Sequence, residues 1–211
     1  MNNYRFWGIK CYFCTSGKGE LCADLKSIGK NLHGGFAEFV VAPIDNIATI
    51  PDSLPFETAT LADGLATALH CYHISGSPKG KDVLIYGDGP IGLECSQIFV
   101  LKNRVTVVGK HLKNLEIAHE IGAATEMLYK DTDVIENRYD CVIEAVGKDQ
   151  DITLYNSIKS VRHGGMVVVC GVFSGNYLGK IPLWPLFYKE AVLCGSNSYA
   201  EKADGIGQLR R

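Results

Sequence analysis

Val83-Leu84-Ile85-Tyr86-Gly87-Asp88-Gly89-Pro90-Ile91-Gly92 decides the fold of this 211-residue chain. Its first four residues read as a short apolar strand. Pro90 to about Leu101 reads as a helix, with Ile91, Cys95, Ile98 and Phe99 on one side. The turn between them is G-x-G-x-x-G. Gly87 makes the tight turn off the strand, and Gly89 removes a side chain so that backbone N–H groups can approach a pyrophosphate. Gly92 lets the helix pack close to the sheet. Pro90 suits the first helical turn, where its missing N–H costs nothing, and Ile91 continues that turn. The helix N-terminus favours an anion. Three glycines alone could be a plain turn. A strand before and a helix after, inside a βαβ unit, supply the context of a dinucleotide-binding loop.

Working outward, strands and helices alternate. Val105-Thr106-Val107-Val108 is the second strand, and Leu112, Leu115, Ala118 and Ile121 mark a helix that stops at Gly122. Further strands are read at Met127–Tyr129, Tyr139–Ala145, Met166–Cys170 and Ala191–Cys194, with a weak helix near Leu154 to Val161. Short, continuously apolar strands separated by helices argue for a parallel sheet buried on both faces. Six of them give an α/β fold with a doubly wound parallel sheet, the Rossmann arrangement.

Upstream of Ser77-Pro78-Lys79-Gly80 the chain is mixed. Gly34-Gly35-Phe36-Ala37-Glu38-Phe39-Val40-Val41 suggests a turn entering a strand. Pro51-Asp52-Ser53-Leu54-Pro55 is a breaker cluster. Asp63 to about Ile74 reads as a helix, with Leu65, Leu69 and Tyr72 at spacings of four and three. Two domains are therefore expected, 1–76 and 77–211.

Composition excludes several functions. Net charge is -2 and basic residues form no run, so nucleic acid and acidic membrane surfaces are poor partners. No apolar stretch reaches the roughly 18–20 residues of a membrane span, and the N-terminal residues do not read as a signal peptide. A cytoplasmic protein is expected. Of eight cysteines, Cys11, Cys14 and Cys22 lie close together. Cys71, Cys95, Cys141, Cys170 and Cys194 are scattered through apolar runs and read as small buried hydrophobes.

The cofactor type follows from one position. An NAD-binding fold places Asp or Glu about 20 residues along to hold the ribose 2′-OH. Here that position is Gly109, followed by Lys110, His111 and Lys113; the nearest acid downstream is Glu116. A glycine followed by cations makes room for a 2′-phosphate and offers it charge-assisted hydrogen bonds. NADP(H) is therefore expected over NAD(H), the other reading being a solvated loop.

Taken in order and spacing, Gly34–Phe39, Pro51–Pro55, Leu61-Ala62-Asp63-Gly64-Leu65-Ala66-Thr67-Ala68-Leu69-His70 and Gly87–Leu93 resemble medium-chain, zinc-type alcohol dehydrogenases. Val142–Gly147 and Gly171-Val172-Phe173 fit that family's strand ends facing the nicotinamide. The resemblance implies cofactor contacts from Thr67, Ala145, Val146, Gly171, Val172, Phe173 and Ser196. It implies that the part before the sheet is a remnant of a GroES-like catalytic domain, and that the chain is short at both ends. Cys11-x2-Cys14-x7-Cys22 matches the last three ligands of the family's structural zinc lobe, with Gly8 where the first would stand. A closed zinc site takes four ligands, so the alternatives are a weakened zinc site and a remnant loop with free thiols.

Asp63 matches a position that supplies a catalytic zinc ligand in some members, and Thr67, one helical turn on, matches a residue touching the nicotinamide. Asp63 also suits a plain helix N-cap. His70 is read as packed or solvent-facing. The resemblance implies hydride transfer between an alcohol or carbonyl substrate and NADP(H), with a homodimer formed through the nucleotide domain near Ile181-Pro182-Leu183-Trp184. Two alternatives stand beside it. One is an inactive NADP(H)-binding module, suggested by the incomplete ligand set. The other is a zinc-independent, quinone-reductase-like enzyme, which the cysteine lobe counts against.

Overall fold

The computed structural model describes residues 3–4, 11–129, 134–147, 150–172 and 181–199. It divides into two units, Met1–His70 with Asn197–Arg211 and Cys71–Ser196.

The first unit is built from short pieces. Strand β1 (Asn3–Tyr4) pairs antiparallel with β2 (Lys26–Ser27). Helix α1 (Tyr12–Thr15) and single 3-10 turns at Gly19–Leu21 and Ile44–Asn46 follow. Helix α2 (Phe56–Ala59) starts after Pro55, whose extended ψ ends the breaker cluster. Helix α3 (Ala62–Ile74) begins one residue before Asp63. Asp63 thus sits inside the first turn and is not the N-cap residue that the sequence suggested. Phe36–Val41, read as a strand, has no strand geometry. Phe36, Phe39, Val40 and Val41 are exposed. A β-patterned run becomes a strand only against a partner edge, and none of the described residues pairs with it.

The second unit carries the sheet. Strands β3 (Asp82–Tyr86), β4 (Arg104–Gly109), β5 (Thr125–Leu128), β6 (Tyr139–Glu144), β7 (Val161–Val169) and β8 (Val192–Gly195) lie in the order β5-β4-β3-β6-β7-β8. Every neighbouring pair is parallel. Helices α4 (Pro90–Phe99), α5 (Leu112–Ile121), α6 (Gln150–Ser160) and α7 (Leu183–Tyr188) connect them. Val83, Leu84, Ile85 and Tyr86 are all buried. Successive strand residues face opposite sides, so helices cover both faces of β3. Gly122 closes α5 with φ 108°, a left-handed conformation natural to glycine.

Three elements differ from the reading of the sequence. α6 starts at Gln150, four residues before Leu154. β7 starts at Val161, five residues before Met166, and its register with β6 slips between Tyr139 and Cys141. Arg162, His163, Gly164 and Gly165 hide that start behind loop-like residues. α7 is not among the elements read from the sequence. Pro185 lies in the first turn, where the ring is tolerated.

Candidate cofactor site and cysteine lobe

Strand order reverses between β3, which leads outward to β4 and β5, and β6, which leads to β7 and β8. Open α/β sheets bind ligands at the carboxyl ends of the strands flanking such a point. The loop after β3 lies there. Gly87 has φ 116°, and its N–H donates to the Val108 carbonyl at 2.9 Å. A Cβ on Gly87 would stand 2.9 Å from the Ala145 carbonyl, so the loops after β3 and β6 meet at this glycine. A Cβ on Gly92 would run into the Gly87 carbonyl oxygen. Its lack of a side chain thus brings α4 against the turn itself. Gly89 is different: nothing lies within 4 Å of where its Cβ would be. It is the extended N-cap of α4, with Pro90 in the first turn. The open face, unpaired N-terminal amides and helix dipole suit a pyrophosphate.

The other residues singled out from the sequence in this unit fall on the same edge. Ala145 N–H donates to Tyr86, and Gly171 N–H to the Glu144 carbonyl. Gly171 approaches Val146 so closely that a Cβ would clash with it. Ser196 N–H donates to Val169 at 2.8 Å. Gly109 ends β4, with Lys110 and His111 next. Val172 is exposed; Phe173 lies outside the described residues.

Two carboxylates on this edge escaped the sequence reading. Asp88, a variable position of the glycine motif, is buried and turns toward β4. It accepts the His111 N–H at 2.6 Å and faces His111 Nδ1 at 3.2 Å, while Asn114 Nδ2 donates to its carbonyl at 2.8 Å. A Cβ on Gly109 would collide with the Asp88 side chain. The room at Gly109 is thus partly taken by an acid arriving from the neighbouring strand. The exposed Lys110 reaches sideways, its Nζ 5.6 Å from the Tyr129 ring centre. Glu144, wholly buried at the end of β6, accepts from Thr153 Oγ1 at 2.7 Å, Gln150 Nε2 at 2.8 Å and Val146 N–H at 3.2 Å. Burial outweighs these donors and raises its pKa.

The remaining predicted residues belong to the first unit. Cys11 precedes α1, Cys14 lies on it and Cys22 follows the 3-10 turn. Cys11 Sγ is 3.6 Å from Cys14 Sγ and 3.7 Å from Cys22 Sγ. Three sulfurs on one zinc at 2.3 Å would be about 3.8 Å apart, so the donor set fits that ion. The Cys14 amide lowers the Cys11 pKa, whereas Cys14, hydrogen-bonded to Cys22, is pushed up to about 11. Gly8 lies outside the described residues. Asp63 Oδ1 accepts from Tyr199 Oη at 2.9 Å, and Thr67 Oγ1 donates to the Asp63 carbonyl at 3.2 Å. Among the described residues, metal-ligating side chains gather at Cys11, Cys14 and Cys22, and at Cys71, Cys95 and Cys170; Asp63 is in neither group. His70 is buried.

A family model of zinc-binding dehydrogenases matches residues 90–209. The chain belongs to the zinc-binding dehydrogenase family. L-threonine 3-dehydrogenase of Legionella pneumophila (strain Corby) is 30% identical over 172 residues, which is 77% of this chain and 50% of that relative. A structure assigned as a zinc-binding dehydrogenase of Sinorhizobium meliloti 1021, bound to NADP, superposes with a TM-score of 0.82 at 30% identity. The match covers 90% of this chain and 59% of that one. An NAD-dependent alcohol dehydrogenase superposes at 0.83 with 27% identity, covering 95% and 61%. This zinc-binding dehydrogenase chain spans about half the length of the curated relatives it matches. No helix among its described residues is long and apolar enough to cross a membrane.

Proposed function

We propose that this chain is the nucleotide-binding part of a zinc-type alcohol or polyol dehydrogenase that prefers NADP(H) and exchanges hydride with an alcohol or carbonyl substrate. The observation that carries the reading is the loop Gly87–Gly92, which leaves Gly89 uncovered at the N-terminus of α4 beside the reversal of strand order. There the amides and dipole of α4 bind the pyrophosphate. Ala145, Val146, Gly171, Val172 and Ser196 line the neighbouring strand ends, where the rest of the dinucleotide lies. Glu144 holds the Val146 amide and so fixes the backbone beside it.

Preference for a 2′-phosphate rests on Gly109, which adds no carboxylate at the end of β4, and on Lys110 and His111, both exposed there. Asp88 positions the His111 backbone and ring. In this family a bound zinc supplies Lewis-acid activation of the substrate oxygen and the nicotinamide accepts the hydride. Asp63 would face such a zinc, and Cys11, Cys14 and Cys22 would hold a structural one. We also place the protein in the cytoplasm as a homodimer. Leu183, Trp184, Phe187 and Tyr188 of α7 are exposed beside the edge strand β8, an apolar surface suited to a second copy.

Titration of the chain with NADPH and NADH, followed by nucleotide fluorescence, tests the cofactor. NADPH should bind tighter, and Lys110→Glu should weaken NADPH by about tenfold while barely moving NADH. Equal affinities in the unsubstituted chain sink the preference. A second reading, a nucleotide-binding module without turnover, is favoured by Asp63 standing outside both ligand clusters among the described residues. Zinc-dependent oxidation of a simple secondary alcohol by the 211-residue chain would exclude it.

A further inference from the structure

Cys71, Cys95 and Cys170 come from three elements of the second unit. Cys71 is in the last turns of α3, Cys95 in the middle of α4, and Cys170 directly follows β7. Their sulfur atoms all lie within 4.8 Å of one another. Cys95 hydrogen-bonds both Cys71 and Cys170, and Cys170 also hydrogen-bonds Cys71, so every side of the triangle is a sulfur–sulfur contact. Cys71 and Cys95 are fully buried. The Cys71 thiol also donates to Ser196 Oγ at 3.2 Å.

We propose that Cys71, Cys95 and Cys170 form a buried three-sulfur site for a soft monovalent metal ion, Cu(I). Three ligands about 2.3 Å from a common centre stand about 4 Å apart in a trigonal plane. The observed triangle reaches that arrangement with small side-chain movements and no change in the elements that carry it. Soft thiolates select Cu(I), zinc and iron–sulfur groups among biological metals. A closed zinc site prefers a fourth strong ligand, and the polar neighbour of this triangle is the neutral Ser196 hydroxyl. Cu(I) is satisfied by two or three sulfurs.

Without metal the cluster is protonated, because mutual contact among the thiols and then burial push Cys95 and Cys170 well above their usual range. Each thiol that ligates releases its proton to solvent, so affinity rises with pH. The ion would tie α3, α4 and the end of β7 together, one residue from Gly171.

The test uses the full chain, under reducing anaerobic conditions, with Cu(I) supplied from a chromogenic chelator. A Cys14→Ser/Cys22→Ser background leaves a single thiol in the first-unit lobe and so removes it as a competitor. That protein should withdraw one equivalent of Cu(I), more tightly at higher pH, and its thermal midpoint should rise with copper. Adding Cys170→Ser or Cys95→Ser should weaken the affinity by about 100-fold or more, while Cys194→Ser leaves it unchanged. Circular dichroism checks that each variant is folded, and half-buried Cys170 is the safer of the two sites to alter. If the chelator keeps its copper, or both variants withdraw it as well as their parent, the proposal fails. Retention of zinc with the same cysteine dependence, and no copper, overturns the choice of ion.

Discussion

The lobe of Cys11, Cys14 and Cys22 and the cluster of Cys71, Cys95 and Cys170 use the same three side chains and are assembled by opposite means. In the lobe, a single-turn helix and a 3-10 turn bring the sulfurs to 3.6 and 3.7 Å over twelve consecutive residues. The cysteines are half-buried, and one thiol is depressed by a nearby amide. The second cluster needs two helices and a strand end, held in place by the whole sheet. In the cluster, contact among the thiols and then burial raise the Cys95 pKa, whereas in the lobe one thiol is depressed and another raised. A local site tolerates loss of its surroundings and responds to its metal, whereas a site built by packing stands or falls with the sheet.

The largest effect should come from the close approach that seats α4. Gly92→Ala puts a methyl group into the Gly87 carbonyl. Overpacking against backbone should destabilise the second unit by about 3 kcal/mol, read as a lower urea midpoint. Zinc held by the lobe should not change. If zinc is lost with the sheet, the lobe is not local.

Cys14→Ser sharpens the contrast from the other side. Zinc bound at the lobe should fall from one equivalent to none by metal analysis. Unfolding of the Cys71–Ser196 unit should move by less than about 0.5 kcal/mol. A larger shift would mean that the two regions share their stability.

Glu144→Gln should have the smallest effect. Burial raises the Glu144 pKa, so between its unfolded and folded values the native state binds the extra proton. Stability from this group is full below the unfolded value, about 4.3, and is lost as pH rises through the folded value. The variant should flatten that fall, worth about 1.4 kcal/mol for each pKa unit removed. The measurement is urea unfolding from pH 4 to 8. An unchanged slope would show that its three donors already compensate for burial.

Much of the sheet was legible because its signals are local. Four-residue apolar runs, Gly122 after Ile121, and Pro90 behind Gly89 each describe their own neighbourhood, and β3, β4, α4 and α5 lie within about two residues of where those signals put them. Phe36–Val41 shows the limit. Its residues favour a strand, but a strand also needs an edge to pair with. The start of β7 shows the converse, since Val161 pairs with Tyr139 and Met166 with Cys141, and the two glycines lie in the irregular stretch between them. Gly109 was read as empty space, and only the packing of the neighbouring loop shows Asp88 beneath it. For that reason an Asp placed at 109 is no clean test of cofactor preference: its Cβ would strike Asp88 before its carboxylate met a ribose.

The sequence alone determined the alternation of strands and helices, the glycine loop between β3 and α4, and the spacing of the lobe cysteines. Each depends on residues a few positions apart, whose geometry follows from backbone preference and helical or strand period. Only the tertiary structure decided that Asp88 meets His111, that Glu144 is buried among Thr153, Gln150 and Val146, and that Cys71, Cys95 and Cys170 form one cluster. The first and last of those contacts join residues distant in the chain, and the Glu144 contacts depend on how α6 turns back onto the end of β6. Their distances are fixed by the order of strands and by how closely each helix settles on the sheet, which no local period encodes.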